Sequence, residues 1–221
     1  MQADIIQDIR RRCRLTMNGI ASTSMRQMGM TYKVNFGLLI PQIKELAGSY
    51  KKNAELANSI WKEDTRELKI LATLLYPINE FTEEDANKWV AEITNQEIRE
   101  QVCFNLFQEL PYAAKLAMEW GCSANQDIRT TGYWLLARLL LIKKTEGVAL
   151  DSFSSIMNDA VSEDTFLRNA ALLALKHIGR QSKAIADEIL KDLSVYKEDE
   201  NLVKQEAYNS LAFEFEYFFE D

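Results

Sequence analysis

Arg10-Arg-Arg-Cys-Arg14 is a basic run near the start of this 221-residue sequence. Guanidinium groups set this closely could hold phosphates, and phosphate contacts dominate sequence-independent affinity for nucleic acid. The run also lies in an amphipathic pattern, with Ile5, Ile6, Ile9, Cys13 and Met17 on one stripe, so a solvated helix face is the plainer reading. Trp134, beside Tyr133, could stack on a base, although a core role is plainer. His177 is the single histidine. It excludes multi-His metal sites and gives a Ser–His–Asp triad little to build on, so capping or packing is its simpler role. Cys13, Cys103 and Cys122 have no CxxC spacing and an odd total, which reads as reduced thiols in a cytoplasmic protein. Met17, Met25, Met28 and Met30 read as fillers of irregular core gaps. No set of residues calls for a metal or a cofactor.

The elements that must position these side chains are helices. Eight Gly and three Pro in 221 residues leave little material for hairpins and tight turns. The expected fold class is therefore all-α, without Gly-rich phosphate loops. Five segments repeat one pattern. An aliphatic–basic pair (Leu68-Lys69, Ile98-Arg99, Ile128-Arg129, Leu167-Arg168, Val203-Lys204) follows polar or acidic residues. A small or short residue comes three positions after each cation: Ala72, Val102, Gly132, Ala171 and Ala207. Seven positions after it stands Tyr76, Leu106, Leu136, Leu175 or Leu211. The aliphatic residue, the small residue and the last member form one buried helix stripe, and the small residue admits a neighbouring helix. Acidic residues near each start suit the helix dipole. Thr94-x-x-Glu97 and Ser123-x-x-Gln126 read as capping boxes. Amphipathic stretches at 82–92, 111–120 and 181–193 supply the second helix of each pair. Stacked pairs make a solenoid, and the spacing resembles HEAT repeats. Before Trp61 the pattern weakens, with helices expected over 3–20, 22–29, 39–48 and 53–61, Pro41 in a first turn and a turn at Val34-Asn-Phe-Gly37. The expected organisation is one domain over 1–221. Residues 1–60 form a less regular basic N-terminal cap, and 61–221 hold about five helix pairs.

Charge limits the function. The net charge is −7, but residues 1–60 carry nine Lys/Arg against four Asp/Glu, and residues 184–221 carry three against eleven. A nucleic-acid binder is usually basic overall; here only the start is, so DNA should avoid the acidic end. Phe213-Glu-Phe-Glu-Tyr-Phe-Phe-Glu-Asp221 is expected to pack its aromatic side on the last repeat as a C-terminal cap. No apolar run reaches the ~18 residues of a membrane span, and the first residues do not read as a signal peptide.

Several stretches in order resemble the HEAT-like DNA alkylation-repair glycosylases, the AlkD family. They are Phe36-Gly-Leu-Leu-Ile-Pro-Gln-Ile-Lys-Glu-Leu-Ala47; Trp61, Arg66, Glu67 and Ala72; Asn105-Leu-Phe107 followed by Pro111; Glu119-Trp120 with Ile128-Arg129 and Gly132; and Leu167-Arg-Asn-Ala170 with His177-Ile-Gly179. The resemblance spans residues 36–180. It implies duplex DNA as partner, lying on a concave basic face, and hydrolysis of the N-glycosidic bond of cationic alkylated purines such as 3-methyladenine and 7-methylguanine. It implies catalysis by a carboxylate, two Trp and an Arg. Aromatic faces attract a cationic base, and a carboxylate stabilises an oxocarbenium-like sugar.

Carried over by position, the family carboxylate falls at Glu100 and its Arg at Arg129, so these are the candidate catalytic residues. The two Trp positions fall at Gln96 and Leu173 in the substrate groove. Glu reaches about 1.3–1.5 Å further than Asp, and a misplacement of about 1 Å costs on the order of 10²-fold in rate. Neither Gln96 nor Leu173 supplies a cation–π face worth about 0.5–2 kcal/mol. Weakened or lost excision is therefore expected. Arg10, Arg11, Arg14, Lys33, Arg99 and Arg168 are the candidate DNA contacts. The alternative is a non-catalytic HEAT-repeat scaffold that binds protein or DNA. Arg129 shares its repeat position with Lys69, Arg99, Arg168 and Lys204, which favours a structural or generic phosphate-facing role for it.

Overall fold

The computed structural model describes residues 2–149, 153 and 155–220. Among them all regular structure is helical, apart from one parallel bridge between Val34 and Thr65. The chain forms two compact units. One takes residues up to 86 together with 94–110, the other 87–93 together with 111 onward.

The first unit contains α1 (Gln2–Leu15), α2 (Gly19–Gln27), α3 (Ile40–Gly48), α4 (Ala54–Trp61) and α5 (Arg66–Leu75). Next, α6 (Glu83–Ala91) passes from the first unit to the second, and α7 (Gln96–Asn105) belongs to the first again. The helix expected over 3–20 stops at Leu15. The reason lies partly outside it: the Asn18 N–H donates to Phe36 O at 2.8 Å, and the Asn18 side chain accepts from Ala21 N to cap α2. Pro41 stands in the first turn of α3, as its fixed φ favours. Gly37 has φ +75°, and a Cβ there would lie 2.2 Å from Asn18 O, so this turn requires glycine. Every residue of α5 except Leu74 is buried, including Arg66, Glu67 and Lys69. Buried charges need partners, and the site described below is built from theirs.

The second unit holds α8 (Ala113–Gly121), α9 (Gln126–Leu141), the short α10 (Ile156–Asp159), α11 (Thr165–Gly179), α12 (Lys183–Asp192) and α13 (Leu202–Phe219). Three of the five repeat stripes are wholly buried: Leu68, Ala72 and Tyr76 and Ile98, Val102 and Leu106 in the first unit, Leu167, Ala171 and Leu175 in the second; the other two begin on half-buried Ile128 and Val203. Small residues mark close approaches. A Cβ on Gly132 of α9 would sit 2.2 Å from Gly121 N of α8, and one on Gly179 would strike the Phe215 ring.

The capping boxes expected at Thr94 and Ser123 are not formed. Asn95 caps α7 through Ile98 N, and Asn125 caps α9 through Asp127 N and Ile128 N. Asn competes as well as Ser or Thr for the cap position. Ser123 instead accepts from Asn125 N at 3.2 Å, and Ser162 does the same for Asp164 N at 3.1 Å. The C-terminal cap is split by helix geometry. Leu211 and Phe215, four apart, are buried, whereas Phe213 and Tyr217, two residues out of phase, face solvent. Asp221 lies outside the described residues.

Candidate functional site

A buried ionic cluster fixes the start of α7. The Arg66 guanidinium, 2% exposed, donates from Nε to both Glu97 oxygens at 2.9 and 3.1 Å and from Nη2 to Glu97 Oε1 at 2.8 Å. Its Nη1 reaches Leu38 O at 2.6 Å and Glu67 Oε1 at 3.2 Å. Glu67 in turn accepts the backbone N–H groups of Phe36 and Leu38 at 3.1 and 3.2 Å. Burial is the largest single effect and opposes the charge on Arg66, but its hydrogen bonds to Glu97 and the negative charges of Glu97 and Glu67 together outweigh it and hold the guanidinium above its usual range. Tyr32 donates its hydroxyl to Asn95 Oδ1 at 3.1 Å, so the capping residue is itself held.

From this anchored turn three candidate residues project together. Arg99 Nη1 donates to Gln96 Oε1 at 2.7 Å, and Gln96 Nε2 donates to Glu100 Oε1 at 2.9 Å. Arg99 is buried; Gln96 and Glu100 are half-buried. The amide is polarised by a guanidinium at one end and orients a carboxylate at the other. An ionised carboxylate only accepts hydrogen bonds, so its outer lone pairs can face a developing positive charge or hold a water.

In the second unit Arg129 is clamped. Its Nε donates to Asp159 Oδ2 at 2.7 Å and its Nη2 to Asp159 Oδ1 at 3.2 Å. Nη1 bonds Ser123 O at 2.8 Å, and the Tyr133 hydroxyl donates to Asp159 Oδ2 at 2.7 Å. The Asp159 hydrogen bond raises the Arg129 pKa, and burial together with Asp159 raises that of Tyr133. Arg168 repeats part of this arrangement, with Nη1 on Ser162 O at 2.6 Å. Lys69 reaches back in the same sense, with Nζ on Trp61 O at 2.7 Å. Three repeat cations thus tie the turn that precedes their helix. Leu173 is half-exposed in an open groove of about 430 Å³ between α11 and α13, which Arg168, Asn169 and Lys176 also line. Trp134 is half-exposed.

The N-terminal arginines are partly neutralised. Arg10 pairs with Glu63 at 2.6 Å; Arg11 and Arg12 share Asp8 at 2.7 and 3.0 Å. The Arg11 hydrogen bond, then that from Tyr50, holds the Asp8 carboxyl below its ordinary range, while burial and Asp8 push Tyr50 up to about 12. Arg14 and Lys33 are exposed, and their side chains have no hydrogen bond or ion pair among the described residues.

The structure therefore gathers Gln96, Arg99 and Glu100 on one turn. It gathers Arg168 and Leu173 on one groove and holds Arg129 with Asp159. Asp159 and Tyr32 escaped the sequence reading. Asp159 lies 30 residues from Arg129 on a four-residue helix, and no local pattern announces it.

Among the described residues no cluster of three or more His, Cys, Asp or Glu could hold a metal ion, and no helix is long and apolar enough to cross a membrane. Residues 17–211 match the family model for the DNA alkylation repair enzyme. No curated protein matches the chain. One solved structure aligns over 94% of this chain and 94% of its own, with a TM-score of 0.73 and 14% identity. It is described as a new family of proteins related to the HEAT-like repeat DNA glycosylases with affinity for branched DNA structures. The shared fold is the HEAT-like helical repeat.

Proposed function

This chain belongs to the DNA alkylation repair enzyme family, and from that premise we propose that it binds DNA and has weak or no capacity to excise cationic alkylated purines. The observation that carries this reading is the Arg99–Gln96–Glu100 relay. It sets a polar clamp where the resemblance calls for an aromatic face, yet it keeps a carboxylate half-exposed and oriented.

Excision breaks the bond between the sugar C1′ and the base nitrogen, and water replaces the base at C1′. The base leaves with the bonding pair, which neutralises its positive charge. Glu100 is the group that would stabilise the oxocarbenium-like sugar and orient that water. Gln96 and Leu173 bring no π-face to a cationic base, so they give little differential binding. Arg129, held by Asp159 and Ser123 O, acts as a fixed positive group, not as a mobile phosphate clamp. Arg14 and Lys33, with Arg10 and Arg11 where DNA competes with their carboxylates, are the phosphate contacts of the first unit, and Arg168 is that of the second. Arg99 positions Gln96. The likeness to a structure described as having affinity for branched DNA makes branched DNA a second ligand to be tried. The reading requires no cofactor.

The test is release of methylated bases from alkylated duplex DNA by the full chain and by Glu100→Gln. Slow release that vanishes in Glu100→Gln, or no release with DNA binding intact, is the expected result. Rapid release that Glu100→Gln leaves unchanged would overturn the assignment of Glu100. Absence of DNA binding would favour the scaffold that binds protein.

A further inference from the structure

Two surfaces of the chain leave large apolar side chains in solvent. At the corner between α1 and α2, Leu15 is 73% exposed and Ile20 87%, with Met17 exposed between them. The neighbouring segment carries exposed Leu39, and it is held against this corner by the Asn18–Phe36 hydrogen bond. Leu15, Leu38 and Leu46 line one shallow groove there, with Arg12 at its rim. Arg14 adds a cation without an ion pair among the described residues.

The second surface is the outer face of α13. Leu202, Glu206, Phe213, Glu216, Tyr217 and Glu220 are all exposed, and their spacing puts them on one side of the helix. Phe213 is 71% exposed and Tyr217 74%. Ala207, Leu211 and Phe215 occupy the opposite, buried side. This exposed face mixes aromatic and acidic groups. Contiguous exposed apolar surface on a folded domain marks an interaction site. The two surfaces differ in charge: Arg14 is exposed beside the corner and Arg12, which also holds Asp8, lines its groove together with Glu45, whereas the α13 face carries Glu206, Glu216 and Glu220 and no cation among its exposed residues.

We propose that copies of this chain associate head to tail, the exposed face of α13 in one copy docking on the α1–α2 corner of the next. A symmetric contact of α13 with a second α13 would set Glu206, Glu216 and Glu220 against their own kind, and a symmetric contact of the corner would oppose its arginines. Only the mixed pairing joins apolar to apolar and acid to base, with the arginines also able to lie on the Phe213 and Tyr217 rings. Because the two patches differ, the contact is heterologous and can extend beyond a dimer. The inference rests on these surfaces alone and does not depend on the DNA reading.

The experiment is sedimentation velocity on the full chain over a wide concentration range at low and high salt. The mean mass should rise with concentration and fall as salt is added. Ile20→Glu and Phe213→Glu alter exposed positions, and circular dichroism verifies their folding. Each variant alone should associate about tenfold more weakly or worse, as loss of an interface anchor does. Mixed in equal amounts, they should form a one-to-one dimer, because one keeps an intact corner and the other an intact α13. A wild-type chain that stays monomeric throughout overturns the proposal and leaves the faces to other partners. Association that neither variant weakens, or variants that fail to complement each other, overturn it equally.

Discussion

Removing Arg66 would leave Glu67 and Glu97 as carboxylates facing each other in a largely closed space. Breaking such a pair from one side costs about 3–5 kcal/mol. Arg66→Met should therefore lower the urea midpoint strongly, and a shift within experimental error would contradict the buried cluster. His177 gives a pH test. Burial first, then Arg180, hold its imidazole below the ordinary value, with Glu214 acting against them. A histidine depressed in the folded state binds its proton more readily when unfolded. Its stabilising contribution is thus complete above about pH 6.5 and is lost as pH falls through the folded value. His177→Gln should flatten the fall in Tm on acidification below that pH; an unchanged slope would place the titration elsewhere. At this scale the family resemblance pointed to Glu100 and Arg129, and the sequence itself to the basic run, as groups with chemistry. It could not say what holds them. Asp8, Glu63 and Asp159 are ordinary carboxylates until folding brings them against arginines.

At the scale of the element, the seam between α8 and α9 is the most sensitive point. Gly132→Ala would place a methyl 2.2 Å from the Gly121 backbone nitrogen, with no flexible side chain to yield. Overpacking of this kind costs about 1–3 kcal/mol or more. Thermal unfolding should show the loss, and hydrogen exchange should locate it in α8 and α9. Gly48→Ala has nothing within 4 Å and serves as the control, neutral or stabilising by about 0.4–1 kcal/mol. Equal effects from the two variants would sink the close-packing account. The repeat stripe was legible because aliphatic, small and leucine side chains at helical spacing obey one periodic rule, as Ile98, Val102 and Leu106 do. The end of α1 was not, because the residues from Leu15 to Ile20 permit a helix. It ends where the Asn18 N–H meets Phe36 O, a contact with no local signature. The repeat cations were legible as a ladder, but the carbonyls that Arg129 and Arg168 tie, six residues back, emerge only in three dimensions.

For the molecule as a whole, scarcity of Gly and Pro announced an all-helical chain, and the repeat announced stacked pairs. Both are general properties of composition and period, and so they survive without knowledge of any contact. The function is written in fewer residues. A basic start and an acidic end set opposite expectations for DNA, and the net charge of −7 hides both. The most direct measurement is fluorescence anisotropy of a labelled duplex titrated with the full chain at increasing salt. Expected is binding at low salt whose logarithmic affinity falls linearly with the logarithm of salt concentration, with a shallower slope and weaker binding when Arg14 and Lys33 are both replaced by Ala. Absence of binding at low salt, or affinity indifferent to salt and to both substitutions, would contradict the DNA-binding claim at its root.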